Sequence, residues 1–517
     1  MSGRVEKSVK NMKVGMIFYI LSFLLAFFSR KIFLDCLGAD FIGLTGTLGE
    51  ILSFLNIAEL GLSSTIVYFL YKPLLYDNRR EICKITSMLS YLYRIVGFVI
   101  LFGGITVSLF FPLMFKDVSL DLPLIYFTFY TFLASSVVGY IFNYRMLILS
   151  ANQQQYLVDM YMQSMSILQG ITQIILALVY KNLYLWIFVQ FLFSLLGCIL
   201  LNYRINKYYP WLKTNLTAGK LALKDYPEII VKTKQLFVQC IKEFLITRCD
   251  QIMIFAYVSL KMVAYYGNYT MIINKVVLVI NILFNGVKAG VGNLVAEGDD
   301  HNTMKIFWEL TSLRTFFTGL LIFPTTLFIK PFIVCWLGEE YVLDDTIVYL
   351  LVTYFFFALM YNVVSMFIFA YGLFRDVWAS FVELILSFGG MLLLGPFYGI
   401  TGLLTAKIVY YIFVMSWKPY FLFKEGFHKS VFVFWRGMLK YILIFIIFML
   451  ITLFVKIAIV DGMDCSWLNL IIYSIIVCSL ILISYFVSLL IFTDGMKYFL
   501  SRYPRVYTVI KRFIPFC

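Results

Sequence analysis

Charge is what this sequence has least of. Asp, Glu, Lys and Arg make up 14% of its 517 residues, against 62% hydrophobic ones. Soluble domains carry about 25% charged residues to cover a hydrated surface, so a soluble enzyme with an anchor is excluded. Histidine is nearly absent as well: His301 and His428 are far apart, which argues against a histidine metal site or a His-based catalytic triad. The nine cysteines form no C-x-x-C pair and read as small apolar fillers. No P-loop spacing occurs, so the chain does not itself hydrolyse ATP. Neither a metal nor a cofactor is expected, and the chain does not read as an enzyme.

What fills the sequence instead is uncharged stretches of membrane-spanning length, about fourteen of them at about 20 residues per span. Residues 95–115 and 466–493 each supply one without a single charge. Lipid offers no partner to an open backbone group, and runs this long without two-residue alternation select helices over a barrel. The expected class is an all-α integral membrane protein. Its first stretch runs into Ser29, Arg30 and Lys31 rather than a small-residue cleavage site, and so reads as a retained span.

Most of the 42 lysines and arginines fall on one side of this serpentine, while the connections on the other side hold only Arg30, Lys31, Lys116, Lys181, Lys261, Lys330 and Lys456. Lys418 is counted in the basic set and Lys456 in the sparse one. The positive-inside rule then places both termini in the cytoplasm. The net charge of +14 is thereby a topology device and a match to anionic headgroups. It does not indicate nucleic-acid binding, because the basic residues are scattered over loops between apolar helices.

A few charges fall inside or near the ends of the spans: Arg94, Lys242, Arg248, Lys275, Lys288, Arg314 and Lys407, with Glu50, Glu59, Glu243, Asp250 and Glu383. Each costs at least about 3 kcal/mol at mid-membrane, so such residues face a polar cavity or a partner. Snorkelling or structural ion pairing is the alternative for any one of them, above all for Lys407 and Glu383 near helix ends. At 100° per residue, Asn274, Asn281, Asn285 and Lys288 share one face of the eighth helix (267–294). Glu243, Thr247 and Asp250 share a face of the seventh (236–258), and Ser53, Asn56, Glu59 and Ser63 form a stripe on the second (42–70). Glu50 points the opposite way from Glu59. Asparagine stripes either line a cavity or act as interhelical glue.

The sequence also repeats itself. Tyr93-Arg94-Ile95 pairs with Leu313-Arg314-Thr315, Pro112 with Pro331, Val137-Val138 with Val363-Val364 and Asn56 with Asn281, all at an offset of about 220 to 226 residues. That register suggests two parallel six-helix halves around a central cavity, followed by two extra helices, an alternating-access architecture. The corresponding division is a lobe at 1–210, a cytoplasmic connection at 211–235, a second lobe at 236–425 and two additional helices with a basic tail at 426–517.

The segments Arg30-Lys31-Ile32-Phe33, Leu37-Gly38, Gly43-Leu44, the run from Ile51 to Leu62, and Tyr68 to Pro73 resemble the start of bacterial polysaccharide flippases. These form the O-antigen translocase branch of the MATE-like multidrug, oligosaccharidyl-lipid and polysaccharide exporter (MOP) superfamily. Asp250 with Tyr266-Gly267-Asn268-Tyr269, and Tyr398-Gly399-Ile400-Thr401-Gly402, resemble later parts of the same family. The resemblance implies twelve core helices plus two in the bacterial cytoplasmic membrane. It also implies the flipping of an undecaprenyl-diphosphate-linked oligosaccharide to the outer leaflet. The implied partners are that lipid-linked substrate, membrane lipids, H+ or Na+ as coupling ion, and polysaccharide polymerase and chain-length proteins. A diphosphate calls for cations in a low-dielectric cavity. The substrate-binding candidates are therefore Arg94, Arg248, Lys288 and Arg314, with Asn56, Asn281 and Asn285. Glu59, Asp250 and Glu243 are the ion-coupling candidates. A multidrug or other small-amphiphile exporter of the same fold, and a membrane-embedded polymerase or acyltransferase, are the alternatives.

Overall fold

The computed structural model describes residues 2–59, 62–227, 241–373 and 375–502. The start of the seventh expected span (236–240) and the basic tail beyond Arg502 lie outside the described residues. Among the described residues every regular element is helical. Helices of eight residues or more are α1 Ser2–Leu37, α2 Ala39–Leu55, α3 Leu62–Leu75, α4 Arg79–Ser108, α5 Leu122–Asn143, α6 Gln155–Val179, α7 Leu183–Tyr208 and α8 Asp250–Tyr257. They continue with α9 Leu260–Glu297, α10 Asp300–Trp336, α11 Asp345–Ala370, α12 Val377–Leu384, α13 Gly390–Phe421, α14 Val431–Val455, α15 Trp467–Phe492 and α16 Asp494–Ser501.

Polar residues in the connections start these helices. Asn78, Asn182, Asp299 and Ser466 accept backbone N–H groups of Glu81, Leu185, Asn302 and Asn469, supplying partners to otherwise orphaned first-turn donors. Between the caps the apolar residues go all the way round. Phe98, Phe102, Ile475 and Leu480 are exposed, as lipid-facing residues are. Eleven segments among the described residues are long and apolar enough to cross a membrane. The chain is a multi-pass membrane protein.

Two of the expected spans are broken, which changes the stripes read from them. The second stretch is α2, a tight 3-10 turn at Asn56–Glu59, and then α3. In the seventh, residues 241–247 are helical, the chain opens at Arg248 and Cys249, and α8 starts at Asp250. Glu243 and Thr247 therefore do not share a continuous helical face with Asp250. The reason lies on α2: the Glu50 carboxylate accepts the N–H groups of Gln251 (3.0 Å) and Ile252 (3.4 Å), giving the new helix start an acceptor. Gly43 and Gly46 keep α2 close to this segment, since a Cβ would lie 1.9 Å from the Leu260 carbonyl oxygen and 2.4 Å from the Gln251 side-chain oxygen.

A third apolar segment, Trp378–Gly426, is 49 residues long, or about 74 Å if straight, and so must fold back. It does so at Gly399, where φ is 54° and ψ −132°, a region open to glycine and strained for other residues. Three residues on, a Cβ at Gly402 would lie 2.4 Å from the Leu394 carbonyl oxygen. The eleventh and twelfth spans are thus a tight hairpin that turns within the run Tyr398 to Gly402.

Packing divides the chain into two compact units, 1–264 and 265–517. In the first, α4 packs on α5, α5 on α7, α6 on α7 and α1 on α6. In the second, α10 packs on α11, α11 on α13, and α12 on α13. Counting spans, third–fourth, fourth–sixth and fifth–sixth neighbours recur as ninth–tenth, tenth–twelfth and eleventh–twelfth. The last two spans dock on α10: Tyr485 of α15 is buried against Phe323 and Phe448 and donates its hydroxyl to the Thr315 carbonyl (3.1 Å). Gly319 leaves room for its ring, which a Cβ would meet at 2.4 Å.

Several charges counted as topology markers are structural ion pairs. Lys418 is buried, with Asp376 at 2.7 Å and Glu383 at 3.1 Å, both carboxylates also buried. Lys456, expected in an outer connection, is buried as well and donates to Asp345 (2.8 Å) and Tyr349 (3.0 Å). Lys407 is buried with its ammonium 5.0 Å from the Tyr354 ring centre.

Candidate functional site

In the second unit, the chemistry gathers about Arg314. It sits about 21 Å along α10 from Asp300, well inside a membrane-crossing helix, and is fully buried. Its Nε donates to the Leu359 carbonyl on α11 (2.9 Å) and its Nη2 to Asn281 Oδ1 on α9 (2.8 Å). The guanidinium lies 4.7 Å from the ring centre of Phe284, three residues beyond Asn281 on the same helix face. Nη1 has no partner among the described residues, and no carboxylate there lies within ion-pair distance.

The magnitudes account for its persistence. A charge at this depth costs at least about 3 kcal/mol, and two hydrogen bonds from a charged donor contribute about 1.5–3 kcal/mol each. The cation is held, positioned and left electrostatically unneutralised. The threonines around it make no claim on Nη1: Thr311, Thr315 and Thr318 return their hydroxyls to backbone carbonyls one turn back.

The first unit presents the opposite charge. Glu59, half-buried at the end of the 3-10 turn, accepts the Tyr93 hydroxyl (2.8 Å) and the Ser63 hydroxyl. Tyr93 and Ser63 also lie 2.5 Å apart, and the Tyr140 ring meets Tyr93 edge-on at 5.6 Å. No cation pairs with Glu59 among the described residues. Asn56, at the start of the same turn, accepts the Ser136 hydroxyl at 2.9 Å.

The other candidates stand apart from these clusters. Arg94 lies about 22 Å along α4, the depth of Arg314 on α10, yet it is exposed, on the face that carries Phe98 and Phe102. Lys288 is exposed on α9, two turns beyond Asn281, and Asn274 is exposed before it. The side chain of Asn285 lies outside the described residues. Arg248 and Glu243 are exposed beside the break before α8, and Asp250 is half-buried at its first residue. Tyr93, Phe284 and the Leu359 carbonyl were missed as functional groups. Tyr93 was visible only as part of the repeat, and a backbone carbonyl leaves no mark in a sequence.

No family profile and no curated protein matches the sequence. Solved structures do. A lipid II flippase, MurJ, in an inward closed conformation is 16% identical, with 91% of this chain and 98% of that one covered at a TM-score of 0.61. An inward-facing multidrug resistance MATE family transporter of the MOP superfamily is 12% identical, with coverage of 80% and 97% and a TM-score of 0.55. The fold is that of MOP-type membrane transporters. At these identities the likeness concerns the fold, and the MOP-type fold agrees with the all-α class read from the sequence.

Proposed function

We propose that this chain is a transporter that flips an undecaprenyl-diphosphate-linked oligosaccharide from the cytoplasmic to the outer leaflet by alternating access. The observation that carries the reading is Arg314: a buried guanidinium, oriented by Asn281 and Leu359, with Nη1 left to donate. A diphosphate leaving water needs such a donor, and a fixed guanidinium fork suits phosphate oxygens. Arg94, Arg248 and Lys288, with Asn56 and Asn285, are the further groups proposed to meet the cargo.

The recurrence of the same helix-neighbour order in each unit supports two parallel lobes, 1–210 and 236–425, followed by two additional helices. Positive charge on one side supports cytoplasmic termini in a bacterial cytoplasmic membrane. Glu59, held by neutral hydroxyls, suits a site that takes up H+ or Na+, with Asp250 and Glu243 as further candidates. Membrane lipids, a polysaccharide polymerase and chain-length proteins are the proposed partners.

An exporter of cationic drugs is the second reading, favoured by the unneutralised Glu59 and the likeness to a MATE family transporter. Complementation separates the two. Glycan export restored by the wild-type chain and lost in Arg314→Gln, with equal membrane-inserted protein, supports the flippase. Drug resistance conferred by a chain that restores no glycan supports the exporter.

A further inference from the structure

We propose that Cys335 and Cys465 close into an intramolecular disulfide that ties the end of α10 to the segment entering α15. The two residues are 130 positions apart in sequence, both thiols are free, and Cys465 is the neighbouring side chain that acts on the Cys335 thiol. A second contact fixes the approach independently: Phe332, three residues before Cys335, meets Trp467, two after Cys465, edge-on at 5.9 Å and 88°. The Cys465 segment is itself held in shape. Ser466 N–H donates to the Asp464 carbonyl (2.8 Å), Asn469 Nδ2 to the same carbonyl (3.3 Å), and Asn469 N–H to Ser466 Oγ (3.2 Å).

Exposure and charge supply the chemistry. Cys465 is exposed and Cys335 half-buried, so an oxidant can reach the pair; neither environment suits an apolar filler of the core. The surrounding end of the unit is acidic, with Glu339, Glu340, Asp461 and Asp464, whereas Lys305, Arg436, Lys440 and Arg502 lie at the other end of the same helices. By the positive-inside rule the thiols face the outer compartment, where disulfides persist. In the reaction the two S–H bonds break and one Sγ–Sγ bond forms. The two protons and two electrons pass by thiol–disulfide exchange to an external oxidant protein, whose S–S bond breaks to give its dithiol.

The outer placement rests on the topology proposed above, so two arms separate pairing from placement. Membranes bearing the full chain are quenched with N-ethylmaleimide, digested without reductant and mapped by mass spectrometry. The expected product is a Cys335–Cys465 linked peptide pair, two hydrogens lighter than the separate peptides and abolished by dithiothreitol. Cys335→Ser should leave Cys465 alkylated, and Cys465→Ser should leave Cys335 alkylated. In the second arm, purified protein is incubated with oxidised glutathione, and the same link should form. Alkylation of both cysteines in both arms overturns the pairing. A link formed with glutathione but missing from quenched membranes overturns the disulfide in the cell and, with it, the outer placement.

Discussion

The Asn281 side-chain oxygen accepts Arg314 Nη2 at 2.8 Å, so a fully buried cation is met by an amide where a carboxylate would neutralise it. Only a neutral partner keeps the charge available to another anion. Asn281→Asp should therefore pair with Arg314 internally. Glycan export should fall to background while the protein remains at least as abundant and as thermally stable as wild type. Complementation with membrane-protein quantification checks it, and full export by Asn281→Asp would remove the anion-site reading.

Glu59 gives a prediction of coupling. Glu59→Gln keeps an acceptor for the Tyr93 and Ser63 hydroxyls, so its stability should stay within about 1 kcal/mol of wild type. If Glu59 carries the coupling ion, reconstituted Glu59→Gln should show cargo movement that no longer responds to an imposed H+ or Na+ gradient. A gradient response equal to wild type would assign coupling elsewhere.

The hairpin at Gly399 should be intolerant of a side chain. Gly399→Ala carries a strained backbone worth about 1–3 kcal/mol, and Gly402→Ala drives a Cβ into the Leu394 carbonyl. Both should lower the melting temperature in detergent. Gly139, whose added Cβ would meet nothing within 4 Å, is the control and should tolerate alanine with little change.

Lys418 holds two buried carboxylates. Removing one partner of a buried ion pair costs about 3–5 kcal/mol, so Lys418→Met should sharply reduce membrane-inserted protein. Neutralising the acids too, in Lys418→Met with Asp376→Asn and Glu383→Gln, should restore much of it. Equal loss in the single and triple variants, read by fluorescence-detected size exclusion, would deny the triad a structural role.

Hydropathy made the all-α membrane class legible, because apolar length answers directly to the bilayer. The Gly399 turn was marked in the sequence only by the resemblance of Tyr398 to Gly402 to a later part of the flippase family. Arg314 stood out because a charge so deep needs an explanation. The breaks at Asn56–Glu59 and Arg248–Cys249 were not legible, since a periodicity argument assumes the continuous helix it is testing. Nor was the burial of Lys418 and Lys456, which counting had treated as loop charges; their partners Asp376, Glu383 and Asp345 approach only through tertiary packing. The repeat put Arg94 and Arg314 at one depth, but burial separates them: Arg314 is enclosed by Asn281, Phe284 and Leu359, whereas Arg94 lies on an exposed face.

The central claim is that Arg314 holds the diphosphate, and binding tests it most directly. Purified full-length protein is titrated with a short-chain isoprenyl diphosphate, alongside Arg314→Gln and Arg314→Lys, with folding verified by melting temperature. Wild type should bind, Arg314→Gln should weaken binding about tenfold or more, the loss of roughly one charge-assisted hydrogen bond, and Arg314→Lys should fall between them because charge survives without the fork. Equal affinity in wild type and folded Arg314→Gln would contradict the account.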